Sequence, residues 1–496
     1  GISEAQISVL EVMPASIQVS GKTADSTSPW GLAVKADSTS DSSALGIAVD
    51  QSGNAYITGF FAGTATFGST SLASNGGNDI FVAKLSSSGS WLWAVQASNS
   101  GYAQSHDIAL DSSGNAYITG GFDGTALFGS TSLTSSGETD VFVAKLSSSG
   151  SWQWAAQAGG SQSDNDDPYE EYNFGITVDS SGNAFVIGQF EGTATFGSTS
   201  LVSNGEADVF IAKLSSSGSW LWAVKAGGSY YDFAGDIAVD LSANAYITGA
   251  FQGTATFGST NLISGGSSHI FVAKLSSSGS WLWAVKAGSY DADHGNGITV
   301  DSSGDAYVTG WYAGTATFGS TSLSELGSGD IFIAKISNSG IWQWAAQAGG
   351  FSNSIWSERG EQIAIDSSDN VYVTGYFRDT AYFGNTTLKG SESEIFIAKL
   401  SNSGSWIGAA KAGGSEHDHG WGIALDSNGN AFVTGDYDRS ATFGSTELIA
   451  NERQIFVAMH HQDQDMDGLI NTFDSCPDGV NNWLSDSSTD HDADGC

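Results

Sequence analysis

Apolar and polar residues follow one another along this chain in short runs that recur about every 60 residues. In the first unit, residues 46–50 predict a short apolar strand, 55–61 a second strand with alternating side chains, 79–85 a third and 91–97 a fourth. The runs are rich in Val, Ile, Thr and aromatic residues, are bounded by Gly, Ser and Asn, and lack the helical spacing of apolar residues. The pattern therefore predicts an all-β protein.

An aspartate that ends the first strand marks each unit. It occurs seven times, at Asp50, Asp111, Asp179, Asp240, Asp301, Asp366 and Asp426. A repeat of this length with four strands is typical of one blade of a β-propeller, so seven copies predict a seven-bladed β-propeller. Each aspartate precedes a tight turn, where its carboxylate can accept backbone N–H groups, so we interpret these residues as structural.

The two ends of the array predict how the ring closes. The third-strand pattern occurs seven times, the last at Phe456, but the Trp-containing fourth strand follows only the first six copies. The missing copy lies at residues 30–36. We therefore expect this N-terminal strand to complete the last blade and to remove two open sheet edges. Tryptophans two residues apart, such as Trp91 and Trp93, are expected to share one strand face and to pack between blades.

The repeated segments resemble a known repeat family. Residues 49–56 and 80–85 are similar to the SBBP (beta-propeller) repeat of bacterial and archaeal proteins, and the likeness extends over residues 30–459. This resemblance implies a propeller in a large secreted or surface protein, but no particular activity. Residues 88–91 resemble the Asp-box hairpin of sialidases but lack its aspartate, so no sialidase chemistry is carried over.

The composition excludes some partners. The chain has 53 Asp and Glu residues against 16 Lys and Arg residues, which gives a formal charge of −37. A charge of this sign repels nucleic acids and anionic membranes, so we expect no nucleic acid partner and no direct membrane insertion. No apolar run approaches the roughly 20 residues of a membrane span.

The acidic segment after the last repeat has the spacing of a calcium-binding loop. Calcium takes about six to eight hard oxygen ligands, and alternating acidic residues point successive oxygens toward one centre. The predicted ligands are Asp463, Asp465, Asp467, the carbonyl of Leu469, Asn471 and Asp474, with Asp490, Asp492 and Asp494 beginning a second, truncated loop. The alternative is a solvated acidic tail.

This segment resembles the thrombospondin type 3 repeat through residues 474–478, which lie between the two loops. The resemblance implies a small loop-rich tail held by bound calcium and by a disulfide between Cys476 and Cys496. It departs from the repeat at Asn471 and Asp474 and in the shortened second loop, so we expect the native protein to continue past residue 496. Oxidised cysteines and a calcium site of this kind imply an extracellular or cell-surface location.

The chain thus divides into three predicted parts. Residues 1–27 form an N-terminal extension, 28–461 the propeller and 462–496 the calcium-binding segment. Apolar residues alternate within residues 1–20 as in a strand, although no blade remains for that strand to join. It is a possible added or donor strand, which would cover the rim of its own ring or add to an exposed edge of a neighbouring copy.

The loops that join one unit to the next vary while the strands repeat, and such loops often carry binding residues. Several combine aromatic rings with carboxylates, as a glycan or cation site requires. The candidate ligand-binding residues are Asp164, Asp166, Asp167, Tyr169, Glu170, Tyr172, His294, Trp356, His417, His419 and Trp421. The alternative is solvated loops with a few aromatic residues over the rim.

Two groups of residues in these loops raise the question of catalysis. His417 and His419 with Asp418 form a possible metal site, and His294 with Asp293 a possible acid–base pair. Neither set has a third ligand or a nucleophile at an informative spacing, so we predict that the protein is not an enzyme. A glycan-active hydrolase or lyase ranks third among the functional hypotheses.

The sequence favours a secreted or cell-surface recognition or adhesion module with a calcium-stabilised stalk, whose partners are extracellular proteins or glycans. The alternative is a self-assembling structural subunit of an extracellular filament or surface layer. In that alternative, residues 1–20 act as an intermolecular strand and the partners are copies of the chain itself.

Overall fold

The computed structural model describes residues 29–160, 174–351 and 358–461. Within these ranges the regular structure consists of β-strands, and no helix there is long and apolar enough to cross a membrane. Seven groups of four antiparallel strands make up most of it, which we number sheets 1 to 7. The predicted all-β, propeller-like fold is confirmed. The domain boundaries at residues 27 and 461 stay predictions, since residues 1–28 and 462–496 lie outside the described ranges.

The strands of each sheet follow the order first, second, third and fourth. The first strands of sheets 1 to 7 are Ser42–Val49, Ala103–Leu110, Gly175–Val178, Asp232–Val239, Asp293–Val300, Arg359–Ile365 and Asp418–Leu425. The second strands are Ala55–Phe61, Ala116–Phe128, Ala184–Phe190, Ala245–Phe251, Ala306–Tyr312, Val371–Phe383 and Ala431–Tyr437. The third strands are Asp79–Leu85, Thr131–Leu146, Asp208–Leu214, His269–Leu275, Asp330–Ile336, Thr386–Leu400 and Gln454–His460.

The fourth strands of sheets 1 to 6 are Trp91–Asn99, Trp152–Ala158, Trp220–Ala226, Trp281–Ala287, Trp342–Gly350 and Trp406–Ala412. The fourth strand of sheet 7 is Trp30–Lys35, which pairs antiparallel with Gln454–His460 and sets Val34 opposite Val457. First strands of consecutive sheets contact one another from sheet 1 to sheet 7, and the first strand of sheet 7 contacts that of sheet 1.

A small hairpin projects between the second and third strands of each sheet. In sheets 2 and 6 the hairpin is continuous with those strands. Elsewhere it is built from Thr64–Phe67 with Thr70–Ala73, Thr193–Phe196 with Thr199–Val202, Thr254–Phe257 with Thr260–Ile263, Thr315–Phe318 with Thr321–Ser324, and Ser440–Phe443 with Thr446–Ile449; the short strand Asp37–Ser38 joins the first of these. Its alternating residues, such as Phe67 and Leu72, are buried.

The apolar core is divided among the contacts between sheets. Ile80 and Val82 belong to the cluster between sheets 1 and 2, whereas Phe81 belongs to the cluster between sheets 7 and 1. Successive residues of a strand point to opposite faces, so each sheet buries one apolar face against the sheet before it and the other against the sheet after it. A fully buried side chain of this size contributes about 1.5–3 kcal/mol.

A β-bulge changes the expected orientation of the paired tryptophans. In sheet 1, Lys84 faces Trp93 and Leu85 faces Trp91, so Leu92 is an extra residue in the fourth strand. The bulge shifts the alternation by one position. The prediction that both tryptophans share one strand face is therefore wrong.

The two indoles instead contact opposite neighbours. Trp91 Nε1 donates to the carbonyl of Lys35 in sheet 7 (3.3 Å), and Trp93 Nε1 donates to the carbonyl of Ser148 in sheet 2 (3.3 Å). The prediction that these tryptophans pack between sheets is confirmed, and the bulge extends the packing to both sides.

A buried Lys–Asp–Tyr triad ties the strands of sheet 1 to the turn after Asp50. Lys84 Nζ lies 3.0 Å from Asp50 Oδ2 and donates to the Tyr56 hydroxyl at 2.6 Å. Asp50 Oδ1 accepts the amides of Ser52 (2.9 Å) and Asn54 (3.0 Å), as predicted for the anchoring aspartates. Burial alone would raise the pKa of Asp50, but the hydrogen bonds from Asn54 and Lys84 outweigh it and lower that pKa.

The same ion pair recurs around the molecule, in the pairs Lys145–Asp111, Lys213–Asp179, Lys274–Asp240 and Lys335–Asp301. Sheet 7 has Met459 and Phe432 where sheet 1 has Lys84 and Tyr56. Sheet 7 therefore shows that a methionine and a phenylalanine can stand in place of the lysine and the tyrosine of the triad.

We expect Lys84→Met to lower the free energy of unfolding by roughly 1–3 kcal/mol, because it leaves the largely buried Asp50 carboxylate without its cation. In the single variant, the buried Tyr56 hydroxyl has lost the ammonium group that donates to it. Adding Tyr56→Phe removes this hydroxyl, copies the residues of sheet 7, and should restore part of the lost stability. Denaturant unfolding followed by tryptophan fluorescence measures both variants. A double variant that is no more stable than the single variant would argue against this role for the triad.

Candidate functional site

The loops that join consecutive sheets lie on the same face of the molecule as the small hairpins. Ser38 opposes Ala65 of the first hairpin, and Gly227 bridges to Thr256 of the sheet 4 hairpin. The tight turns at residues 50–54 and 86–90 lie at the other ends of the strands. We call these two sides the loop face and the turn face.

Many of the predicted site residues lie outside the described ranges, and their roles stay predictions. They are Asp164, Asp166, Asp167, Tyr169, Glu170, Tyr172, Trp356, the predicted calcium ligands and the two cysteines. The remaining candidates, His294, His417, His419 and Trp421, lie on the loop face at or next to the start of first strands in sheets 5 and 7.

The rings of His417, His419 and Trp421 lie side by side at the start of the sheet 7 first strand, where Trp421 is the extra residue at a register shift. The two imidazoles stack with centroids 6.4 Å apart, and the His419 ring lies 5.1 Å from the indole. Tyr376, from the second strand of sheet 6, meets His419 at 4.6 Å and Trp421 at 6.0 Å, both edge-on.

His294 is not part of this group. It lies in sheet 5, where its ring contacts Phe233 at 6.0 Å and its Nδ1 is 2.8 Å from Asn296 Oδ1. Burial lowers the pKa of His294 to about 4, so the imidazole is neutral at physiological pH.

Asp436, in the second strand of sheet 7, connects the rings electrostatically. Its Oδ2 accepts hydrogen bonds from Trp421 Nε1 (2.6 Å) and Ser43 Oγ (2.5 Å). Its Oδ1 lies 3.4 Å from His419 Nδ1 and 3.6 Å from Arg453 Nε. Burial would raise the pKa of Asp436, but the hydrogen bond from His419 and the charge of Arg453 lower it overall, so the carboxylate is ionised at neutral pH. We call Tyr376, His419, Trp421 and Asp436 the sheet 7 cluster.

Sequence reasoning missed Asp436 because it lies within a repeated strand. The residues at the same position of the other second strands are Phe60, Gly121, Gln189, Ala250, Trp311 and Tyr376. Asp436 is the charged residue of that set. An alignment of the seven units would have identified Asp436 as a charged residue at a position where the other units have uncharged ones.

The suggested metal site and acid–base pair are not formed. Asp418 Oδ2 accepts the amide of Gly414 (2.6 Å) and its Oδ1 that of Asp438 (3.2 Å), so the carboxylate is engaged by loop backbone and not by the histidines. Asp293 likewise accepts the amide of Ser289 (2.5 Å). No group of three or more His, Cys, Asp or Glu residues suited to a metal ion occurs in the part of the chain that the structure describes.

Exposed aromatic side chains extend the loop face beyond the sheet 7 cluster. Tyr230 is 57% exposed and Tyr290 76% exposed, on the loops before and after sheet 4. Between them and sheet 7, the Arg359 guanidinium lies over the Trp311 ring at 5.3 Å. The loop face of sheets 4 to 7 therefore presents aromatic rings together with charged groups.

Beneath these loops, carboxyl groups of adjacent sheets meet in pairs. Asp208 of sheet 3 neighbours Asp232 of sheet 4, and Glu394 of sheet 6 neighbours Asp418 of sheet 7. A β-carbon at Gly227, where φ is +149°, would overlap both members of the first pair, which explains the glycine. Burial and the neighbouring carboxylate raise the pKa of Asp232 and of Asp418 to about 8.

A carboxyl group whose pKa is higher in the folded chain stabilises the fold below its unfolded pKa of 3.8 and loses this contribution as pH rises through about 8. We therefore expect Asp232→Asn and Asp418→Asn to raise the melting temperature relative to the parent at pH ~9 and not at pH ~5. Thermal melts at both pH values test this. Asp41→Asn, at an exposed loop position, is the control. Equal shifts at the two pH values would contradict the prediction.

The family comparison agrees with this architecture. Residues 92–120 and 283–311 match the model of SBBP, described as Beta-propeller repeat. Both segments begin in the fourth strand of one sheet, cross a loop of the loop face and end in the second strand of the next sheet. These two segments of the chain are similar to the SBBP repeat.

One curated relative of this chain is the "Uncharacterized WD repeat-containing protein L264" of Acanthamoeba polyphaga mimivirus. The two are 25% identical over 424 residues, which cover 69% of this chain and 30% of the relative. The chain thus spans less than a third of the relative's length.

Solved structures with partial similarity include the WD40 beta propeller domain of Doa1, at 11% identity and a TM-score of 0.42, covering 85% of this chain and 95% of that one. YCF48 bound to D1 peptide has 9% identity and a TM-score of 0.39, covering 89% and 97%. Similarities at these scores carry no argument about the function of this chain.

Proposed function

We propose that the chain is a closed, seven-bladed β-propeller that acts as a non-enzymatic protein-interaction module and binds its partner through the loop face. The closed ring is supported by the continuous contacts of first strands from sheet 1 to sheet 7 and back to sheet 1. It is also supported by the pairing of Trp30–Lys35 with the third strand of sheet 7. A ring of this kind presents a broad face on which loops from several blades meet.

The sheet 7 cluster is the observation that carries the proposal. It departs from the repeat, and its rings are partly exposed at His419 and Trp421. Residues at interfaces that contribute most to binding are enriched in Trp, Tyr and Arg. Asp436 accepts from Trp421 and Ser43 and faces His419 and Arg453, so these groups hold the indole in one orientation before a partner arrives.

The same geometry favours recognition over catalysis. A general base needs an acceptor atom that is free to take a substrate proton. Both oxygens of Asp436 already face donors of the chain itself, and Asp418 and Asp293 are engaged by loop amides. We therefore propose a binding role for this face, with a protein or glycan partner.

To test the function, random peptides displayed on phage are selected against the purified chain. Trp421→Ala should weaken binding of the selected peptides by about tenfold or more, because a central tryptophan at an interface contributes roughly 2 kcal/mol or more. Trp421→Phe keeps a ring but loses the hydrogen bond to Asp436, and should give an intermediate affinity.

Leu241→Ala is the control, since this side chain is 87% exposed on the turn face. Melting curves verify folding of every variant. Peptides that bind the parent and Trp421→Ala equally well, or that lose affinity in Leu241→Ala, would refute binding through the sheet 7 cluster.

We also propose that residues 462–496 bind calcium and form a stalk of the type 3 kind, and that the protein is extracellular and adhesive. The support is the spacing of acidic residues and the two cysteines of that segment. The alternative remains a filament or surface-layer subunit in which residues 1–20 join a neighbouring copy. Light scattering in calcium-containing buffer, with and without residues 1–20, separates the two: loss of large particles on removal of that segment favours the subunit.

Calorimetric titration of the full chain with calcium should give binding that is weakened at least about tenfold by Asp465→Ala with Asp467→Ala, because each variant side chain removes an oxygen ligand. The matched control removes two exposed aspartates elsewhere, with Asp41→Ala and Asp291→Ala. If both double variants bind calcium like the parent, the type 3 resemblance does not extend to metal binding.

A further inference from the structure

Two exposed tyrosines are held against the base of the sheet 4 hairpin, one from the loop before this sheet and one from the loop after it. The Tyr230 ring packs on Gly253, where a β-carbon would lie 2.6 Å from the ring carbon Cδ2. The carbonyl of Tyr290 accepts the amide of Ser267 at 3.1 Å, which fixes the second loop to the far side of the same hairpin base.

The hairpin base is narrow, so the two tyrosines flank one short piece of backbone. The amide of Ser264 donates to the carbonyl of Gly253 at 2.8 Å and closes the base. Tyr290 also packs at Gly266, immediately after this closure. Exposed rings that the backbone positions in this way lose little conformational entropy on binding a partner.

Acidic side chains accompany these rings. Asp291 follows Tyr290 and is exposed, and the exposed Glu206 follows Gly205, where an added β-carbon would lie 2.5 Å from the carbonyl oxygen of Ser229 in the Tyr230 loop. A ligand that lies across the loop face at sheet 4 therefore meets aromatic rings with carboxylates beside them.

The neighbouring basic residues are engaged by the chain itself. Lys225 Nζ lies 2.6 Å from Asp208 Oδ2, and Lys286 Nζ donates to the carbonyl of Ile263 at 2.5 Å. The four arginines of the chain belong to sheets 6 and 7 and are Arg359, Arg378, Arg439 and Arg453. Lys225 is thus paired with a carboxylate and Lys286 with a carbonyl, and the attraction for a basic segment comes from the net charge of −37 of the whole chain.

Aromatic rings elsewhere in the molecule already accept cations. Arg359 lies over Trp311 on the same face at 5.3 Å, and Lys84 lies over Tyr56 at 4.4 Å. The quadrupole of an aromatic ring attracts such a cation by about 0.5–1 kcal/mol when exposed and by about 2 kcal/mol when desolvated.

We propose that Tyr230 and Tyr290 form a site for a lysine- or arginine-rich segment of the partner protein. The site rests on the proposed function, because it belongs to the loop face and uses the same partner. The rings contact the alkyl stems and cationic heads, Asp291 and Glu206 face the charges, and the acidic field of the whole chain steers a basic segment toward this face.

The test uses a fluorescent peptide of about ten lysines and its neutral Gly/Ser counterpart, with anisotropy measured against the full chain at low and at moderate salt. The lysine peptide should bind, and its affinity should fall with salt. Tyr230→Ala with Tyr290→Ala should weaken binding by about tenfold, as expected for the loss of two cation–π contacts. Tyr230→Phe with Tyr290→Phe keeps the rings and should stay within about threefold of the parent.

Two results with the peptides would overturn the site, and a third comes from the control variant. In one, the double alanine variant binds the lysine peptide like the parent, which assigns the binding to the overall charge alone. In the other, the neutral peptide binds as tightly and loses affinity in the same variant, which assigns the rings to an uncharged ligand. Leu241→Ala serves again as the control on the turn face, and equal weakening there also overturns the site. Displayed peptides that still depend on Trp421 would show that the proposed function survives either failure.

Discussion

Every sheet of this molecule is apolar on both faces, and the rest of the architecture follows from that property. Ile80 and Phe81 are neighbours in one strand, yet they belong to clusters on opposite sides of sheet 1. A row of such sheets would leave one apolar face exposed at each end, and each exposed face would favour aggregation. Contact between the first and last sheets removes both ends, since Ile455 of sheet 7 packs in the same cluster as Phe81. Burial on two sides therefore favours the contact between the first and last sheets.

Apolar burial has no direction, so the polar contacts set the register between sheets. The Tyr117 hydroxyl in sheet 2 donates to the carbonyl of Gly182 in sheet 3 at 2.9 Å, while its lysine and aspartate hold the ring in place. Sheet 7 lacks the lysine and the tyrosine, and it is also the sheet whose fourth strand comes from the other end of the chain. There, Trp30 Nε1 donates to the carbonyl of Lys411 in sheet 6 at 3.2 Å, and Trp30 pairs with His460 across the strands. In sheet 7, the pairing of Trp30–Lys35 with Gln454–His460 therefore fixes the register that the triad fixes in other sheets.

The repeat made the strands predictable, because period-two alternation and Gly/Asn turns are local signals. What sequence reasoning missed depends on geometry that local patterns do not encode. The orientation of Trp91 and Trp93 was wrong because the extra residue, Leu92, becomes visible only when the third strand is paired with the fourth. The sheet 7 cluster was half predicted: His419 and Trp421 lie in a variable loop region, whereas Asp436 and Ser43 are 393 residues apart and meet only where sheets 7 and 1 are in contact. The composition of the loops identified the candidate residues, but it did not predict which of them lie together.

Asp436 departs from the repeat at a position where packing alone does not explain a charged residue. At the second-strand position of Asp436, sheets 2 and 4 have Gly121 and Ala250, so packing at this depth does not require a charge. An ionised carboxylate that is 1% exposed loses its hydration, and this loss costs several kcal/mol unless donors replace the water. The chain supplies those donors from sheet 1 through Ser43 and from sheet 7 through Trp421 and Arg453. Since smaller apolar residues satisfy the fold at this position, the buried charge serves the orientation of the rings around it, and those rings face the side of the molecule where the loops vary.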